Sequence, residues 1–194
     1  MLEFEKKIML KPKEYAFLVD HFSGISEKTT QTNYYYDTDL GDMNELGITC
    51  RIRKKHGKYV ATMKAHQPDY KDCSIEISKD VKGIEDMSLF EGLELKYQGE
   101  LHTTRYKINA INGIEVSIDR NNYLGKNDYE LEIEYNPGEE EKAFIQLNII
   151  ADLLVMNGMV KSRYQIRNRA SNSISKSERF FNRKNTLKKR SDIY

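Results

Sequence analysis

The chain has no tryptophan, three prolines, two cysteines and four histidines in 194 residues. Each scarcity excludes something. Cys50 and Cys73 are too few for a disulfide framework. Both sit in strand-like runs, so a reducing, cytoplasmic setting is expected. His21, His56, His66 and His102 lack metal-ligand spacing and read as surface or loop residues. There is no run of 18 apolar residues, so no membrane partner is expected. The N-terminus leads straight into a charged strand, with no signal peptide expected. A net charge of +1 gives no global argument for nucleic acid, and none is expected as a partner.

What is abundant is charge, at 31% of residues, and it is unevenly placed. From Lys161 to Tyr194 eleven Lys/Arg stand against two acids, a local net of +9; residues 1–160 hold 20 basic and 28 acidic groups, a net of −8. The C-terminal segment should therefore dock on acidic protein surface or meet a polyanion. One domain is expected over residues 1–175. A basic tail follows over 176–194, loosely ordered beyond Arg183.

Strand signals dominate the pattern. "LEFEKKIML" opens the chain, and an amphipathic helix follows, with Tyr15, Leu18, Val19 and Phe22 at helical spacing behind Pro12. "TNYYYDT", "ITCRIRKK", "KYVATMKA" and "DCSIEISKDV" come next. His56-Gly57 marks a hairpin, and Asn112-Gly113 marks another between "TTRYKINAI" and "IEVSIDR". "NYLGKNDYELEIEY" gives the next strand, after a turn at Gly125. A long helix is predicted after it, with Asn136 as cap, Pro137 at the first position and Glu139 completing a capping box. Asn157-Gly158 ends it. "VKSRYQIRNR" reads as a weaker strand around Arg163.

Successive strand residues point to opposite faces. Each strand here has one apolar face and one charged face, and the charged faces are sorted by sign. Glu3, Glu5 and Lys7 oppose Phe4 and Ile8; Arg51 and Arg53 oppose Cys50 and Ile52; Glu130, Glu132 and Glu134 oppose Leu131 and Ile133. A solvated face would mix signs and neutral polar residues. About eight antiparallel strands can instead close into a barrel with the charges facing each other. The predicted fold is therefore α+β and β-dominated: a closed antiparallel eight-stranded barrel, a tunnel with a charged interior and flanking helices.

Buried unpaired charge costs too much for such a tunnel to be dry and empty. Lys7, Arg51, Arg53, Lys64, Arg105 and Arg163 would converge on an anion, and guanidinium forks match phosphate oxygens. Glu3, Glu5, Asp119, Glu130, Glu132 and Glu134 would repel unless cations bridge them, and carboxylates suit Mg²⁺ or Mn²⁺. The spacing reaches a phosphoryl compound plus metal.

Glu3-Phe4-Glu5-Lys6-Lys7 matches Glu-x-Glu-x-Lys. "YYDT" at 35–38, "RIR" at 51–53, "TMK" at 62–64, Glu76, Arg105, Asp119, "ELEIE" at 130–134 and "SRY" at 162–164 follow in order. Together they resemble the CYTH superfamily, the triphosphate tunnel metalloenzymes. The resemblance implies phosphate binding by Lys7, Arg51, Arg53, Lys64, Arg105 and Arg163. It implies Mg²⁺ or Mn²⁺ binding by Glu5, Asp119, Glu132 and Glu134, with Glu3 and Glu130 beside them. Lys64, Tyr35 and Glu5 are the implied catalytic set, Tyr35 and Lys64 as a water-activating pair. Ser78 departs from the pattern where many members carry a second acid, and Arg163 stands where a Lys is frequent.

The implied activity is metal-dependent hydrolysis of inorganic triphosphate to diphosphate and phosphate. Thiamine triphosphatase and class IV adenylyl cyclase activities are the enzymatic alternatives, and a polyphosphate-binding module is the non-enzymatic one. A triphosphate-containing small molecule is the expected partner, and the chain is expected to be a monomer or homodimer.

Overall fold

Alternation at period two produces eight strands, which one barrel accommodates. The computed structural model of the chain describes residues 2–67, 72–108 and 114–191. The elements run β1 (Leu2–Leu10), α1 (Pro12–His21), β2 (Ser26–Asp37), α2 (Asp42–Glu45), β3 (Ile48–Lys55), β4 (Lys58–His66), β5 (Cys73–Val81), β6 (Lys96–Ile108), β7 (Glu115–Tyr123), β8 (Lys126–Tyr135), α3 (Glu140–Met156), α4 (Arg163–Ser171) and α5 (Lys176–Ser191). The strands close in the order β1-β5-β4-β3-β2-β6-β7-β8, with β8 returning to β1, and every pairing is antiparallel.

Two-residue turns set two of the registers. His56 and Gly57 both have positive φ, 50° and 76°, and Lys55 pairs with Lys58. Leu124 and Gly125 repeat this with φ of 45° and 70° between Tyr123 and Lys126. Such turns match the right-handed twist of the strands they join. The predicted Asn112-Gly113 hairpin lies outside the described residues.

The apolar strand faces point outward. On one side Ile8, Ile118, Leu131 and Ile133 pack under Leu18 of α1, Leu147 and Ile150 of α3 and Ile166 of α4. On the other, Tyr36, Cys50, Ile52 and Ala61 lie beneath Phe90 of the segment between β5 and β6. Both cysteines are buried and free, and all four histidines are exposed. No helix among the described residues is long and apolar enough to cross a membrane.

Three local expectations change. The long helix starts at Glu140, because Gly138 has φ of 85°, a value that stops helical backbone there. Asn136 still donates its backbone N–H to Glu139 Oε2 at 3.2 Å. The Arg163 segment is not a strand: it begins α4, outside the barrel. Residues 184–191 are not loose, since they continue α5 to Ser191.

α5 enters one end of the barrel. Phe180 is fully buried, with its ring 4.9 Å from that of Tyr35 and 6.3 Å from that of Tyr123. The fit depends on Gly99, where β2 and β6 shift register. Gly99 has φ of +135°, and a Cβ there would lie 2.8 Å from Phe180 Cζ. Gly99→Ala should therefore destabilise the fold by about 1–3 kcal/mol, read as a fall of roughly 3–10 °C in melting temperature. An unchanged melting temperature would mean that α5 does not pack there.

Candidate functional site

Strand register brings the charged faces into one cavity of about 230 Å³, lined among others by Glu3, Glu5, Lys7, Tyr35, Arg51, Arg53, Lys64, Glu76, Arg105, Glu132 and Glu134. It is closed at the end where α5 sits. At the other end the Glu3 and Glu134 side chains are 27% and 32% exposed, against 0% for Asp119 and Glu130 deeper in.

The acids form two clusters, each with carboxylate oxygens within 4.8 Å of one another: Glu3, Glu5 and Glu134 near the mouth, and Asp119, Glu130 and Glu132 in the depth. Lys7 links them, 3.1 Å from Glu5 and 3.2 Å from Glu132. Lys64 stands 2.5 Å from Glu3 and 3.5 Å from Glu5. Arg105 forks onto Asp119 at 2.9 and 2.7 Å, and also binds Glu132. Burial alone would raise the Glu5 carboxyl, but Lys7 and Lys64 outweigh it and hold Glu5 at about 2. Glu132 is likewise held well below the carboxylate range by Lys176, Lys7 and Arg105, against the effect of burial. Glu134 goes the other way: burial, with Glu132 nearby, pushes it up to about 7 despite Arg105. The mouth cluster is thus short of positive charge. Hard carboxylate oxygens with a deficit of cation fit Mg²⁺ or Mn²⁺.

The opposite wall is rich in donors. Gln31 Nε2, Asn33 Nδ2, Tyr35 OH and Arg51 Nε are buried without a hydrogen-bond partner among the described residues. Register pairs Gln31 with Lys55, Asn33 with Arg53 and Tyr35 with Arg51, so these groups form one patch on β2 and β3. Arg53 donates Nε to Asn33 Oδ1 at 2.9 Å. Burial, together with Arg51 and Arg105, lowers its guanidinium to about 10. A buried, donor-rich wall with unmet N–H and O–H groups calls for an anion of several oxygens.

Of the residues singled out from sequence, Arg163 is not brought in. It lies at the start of α4 and forks onto Asp152 of α3. Its side chain is 54% exposed. Tyr35 reaches the cavity, but its hydroxyl has no hydrogen-bond partner among the described residues and so forms no pair with Lys64; burial pushes that hydroxyl up. The place of a second acid on β5 is filled by Ser78, which donates to Glu76 at 2.9 Å.

Two interior cations escaped the sequence reading because they lie in the tail. Lys176 reaches Asp119, Glu130 and Glu132 at 2.8, 2.5 and 2.8 Å. Arg179 meets Asp128 and Glu130, each at 2.9 Å. A signal was present: 176, 179, 180, 183 and 184 recur at helical spacing and carry Lys, Arg, Phe, Arg and Lys.

One family model and three known proteins bear on this arrangement. A family model described as the CYTH domain matches residues 1–159. YjbK of Bacillus subtilis (strain 168), provisionally named a triphosphatase, is 30% identical over 152 residues, covering 69% of this chain and 77% of that protein. A crystal structure from Bacillus halodurans, of a protein provisionally named an adenylate cyclase, superposes with a TM-score of 0.68 at 22% identity over 92% of this chain and 97% of that one. HpAC1 from Hippeastrum, provisionally named an adenylyl cyclase and described as having a dominant triphosphatase activity, gives 0.62 at 21% identity over 80% and 88%. At such identities the two solved structures attest the fold.

Proposed function

Since the chain belongs to the CYTH domain family, we propose that it is a divalent-metal-dependent triphosphatase that hydrolyses inorganic triphosphate to diphosphate and phosphate. The observation that carries this reading is the pairing of walls in a tunnel closed at one end. Unmet donors on β2 and β3 face a carboxylate cluster that is short of cation. A triphosphate chain coordinated to a metal meets both needs.

Glu3, Glu5 and Glu134 would hold the ion, Mg²⁺ or Mn²⁺, which would neutralise charge on the phosphoryl group being transferred. Arg51 and Arg53 bind non-bridging oxygens through their forks. Lys64, fixed by Glu3 and Glu5, brings its ammonium to the same space. Tyr35, with its hydroxyl pushed up by burial, serves as a hydrogen-bond donor to a phosphate oxygen. Charge neutralisation and alignment are most of what phosphoryl transfer asks of a protein.

A second reading has its own observation. Just outside the mouth, Leu2, Phe4 and Ile77 border a hollow of about 800 Å³ that also touches Glu3, Glu76 and Glu134. This would seat the organic part of thiamine triphosphate or ATP. The segment between β5 and β6 does not serve that end, since Met87, Leu89, Phe90 and Leu95 pack on the outer face of the barrel. The test is a panel of inorganic triphosphate, thiamine triphosphate and ATP with Mg²⁺ or Mn²⁺, scored separately for phosphate and cAMP. Phosphate release should be fastest from inorganic triphosphate. Faster turnover of an organic triphosphate would replace the substrate, and cAMP would replace the reaction.

Glu134 also makes metal binding pH-dependent. Its proton competes with the ion, so Mn²⁺ affinity should rise about tenfold per pH unit up to about 7 and then level off. Folding shows the converse sign. The unfolded carboxyl titrates near ~4.3, so the folded state binds the extra proton between that value and about 7. In metal-free buffer this group's contribution to stability falls as pH rises through that window and stays low above it. Glu134→Gln should therefore melt about 2–6 °C higher than the wild type at pH 8 without metal, while losing Mn²⁺ affinity. Scanning calorimetry with and without EDTA checks both, and a less stable variant would contradict the charge deficit.

A further inference from the structure

The two carboxylate clusters differ in one respect that decides where a metal can go. In the depth, all six carboxylate oxygens already meet a donor from the protein. Asp119 Oδ1 and Oδ2 take Arg105, and Oδ2 also takes Lys176 at 2.8 Å. Glu130 Oε1 takes Asn121 at 2.8 Å and Lys176 at 2.5 Å, and its Oε2 takes Arg179 at 2.9 Å. Glu132 Oε1 takes Lys176 at 2.8 Å, and its Oε2 takes Arg105. Near the mouth, Glu3 Oε1, Glu5 Oε2 and Glu134 Oε2 have no such donor among the described residues.

Charge agrees with hydrogen bonding. Asp119, Asp128, Glu130 and Glu132 are matched one for one by Lys7, Arg105, Lys176 and Arg179. A divalent ion added there would leave two uncompensated positive charges in a buried place. Glu3, Glu5 and Glu134 are matched directly by Lys64 alone, with Lys7 and Arg105 shared with the depth. That is a deficit of about one divalent ion.

Lys176 is also firmly placed. It opens α5, whose Phe180 is fully buried. Ser177 beside it meets Thr49 at 2.7 Å, and Arg179 one turn on grips Asp128. Its ammonium stands among one oxygen from each of three carboxylates, the position an ion would otherwise take.

We propose that Lys176 is a built-in cation of the tunnel, holding the Asp119–Glu130–Glu132 cluster in place of a metal. The chain then binds one divalent ion, at Glu3–Glu5–Glu134, and none in the depth. This rests on the metal-dependent reading above, and it assigns α5 an electrostatic part in the site.

The test is Mn²⁺ binding to the full chain at pH 8, read by electron paramagnetic resonance of free and bound ion. Wild type should bind one ion. Glu134→Gln should weaken it by at least tenfold, and Asp119→Asn should leave its number unchanged and its affinity within about threefold. Lys176→Met should bind a second ion, and Mn²⁺ should raise its melting temperature more than that of the wild type. Zero or two ions on the wild type, loss of the ion in Asp119→Asn with retention in Glu134→Gln, or a folded Lys176→Met that still binds one would each overturn the proposal. If Lys176→Met does not fold, the Asp119→Asn and Glu134→Gln pair decides. Hydrolysis of inorganic triphosphate is scored in the same samples. Turnover with two bound ions defeats the lysine assignment and leaves the triphosphatase reading standing; one bound ion without turnover does the reverse.

Discussion

Glu5→Gln should lower kcat for inorganic triphosphate by on the order of 10²-fold or more, with partial recovery at high Mg²⁺ or Mn²⁺. Three features make this the most sensitive position in the tunnel. Glu5 belongs to the mouth cluster. It is held ionised at about 2 by Lys7 and Lys64, which prevail over burial. It also fixes both lysines, at 3.1 and 3.5 Å. Glutamine keeps the shape and removes the charge, so the loss reports electrostatics and not packing. Arg53→Ala should behave differently. Its guanidinium has no ion-pair partner within 4 Å among the described residues and is oriented by Asn33. It would meet the phosphates both in the bound complex and as charge develops, so KM should rise and kcat fall together, and metal should not help. Steady-state kinetics across a metal titration separates the two variants. Wild-type turnover by Glu5→Gln would remove the mouth cluster from the mechanism.

Ending the chain at Ile174 should abolish stable folding or lower the melting temperature by roughly 10–20 °C. The cut removes Lys176 and Arg179 and leaves Asp119 and Glu130, both fully buried, with much of their compensation gone. It also uncovers Tyr35, Leu101 and Tyr123 where Phe180 and Phe181 packed. Breaking one buried pair costs about 3–5 kcal/mol, and two lost cations on a shared carboxylate do not simply add. Ending the chain at Asn185 should instead change the melting temperature by less than about 2 °C. Lys188, Lys189 and Arg190 are exposed, and that cut leaves the interior contacts of Lys176, Arg179 and Phe180 in place. The contrast between the two cuts, followed by thermal melting and near-UV circular dichroism, locates the structural part of α5. Equal melting of both truncated chains would show that the helix is not needed to close the barrel.

The features legible in the sequence are those with a local period. Glu3-Glu5-Lys7, Arg51-Arg53 and Glu130-Glu132-Glu134 alternate with apolar residues, and a pleated strand must send them to one face. Sorting by sign then argued for strands that face each other, and the closed barrel follows the same pattern. His56-Gly57 and the turn at Gly125 were visible because glycine accepts the positive φ that such tight turns require. Arg163 was misplaced because Ser-Arg-Tyr is too short to show a period, and the same triplet suits a strand or the first turn of α4.

The sequence by itself determined a charged interior with an apolar exterior, since residue order alone dictates which side chains share a face of a strand. The excess of Lys and Arg after residue 160 also pointed to negative charge as what the C-terminal segment meets. Only the tertiary structure decided that this charge is the chain's own, because docking of α5 depends on Asp119, Asp128, Glu130 and Glu132 lying more than forty residues away in sequence. The same holds for the division of six acids into a satisfied cluster and an unsatisfied one. That difference arises from which cations arrive across the barrel, and a one-dimensional pattern carries no record of distances through space.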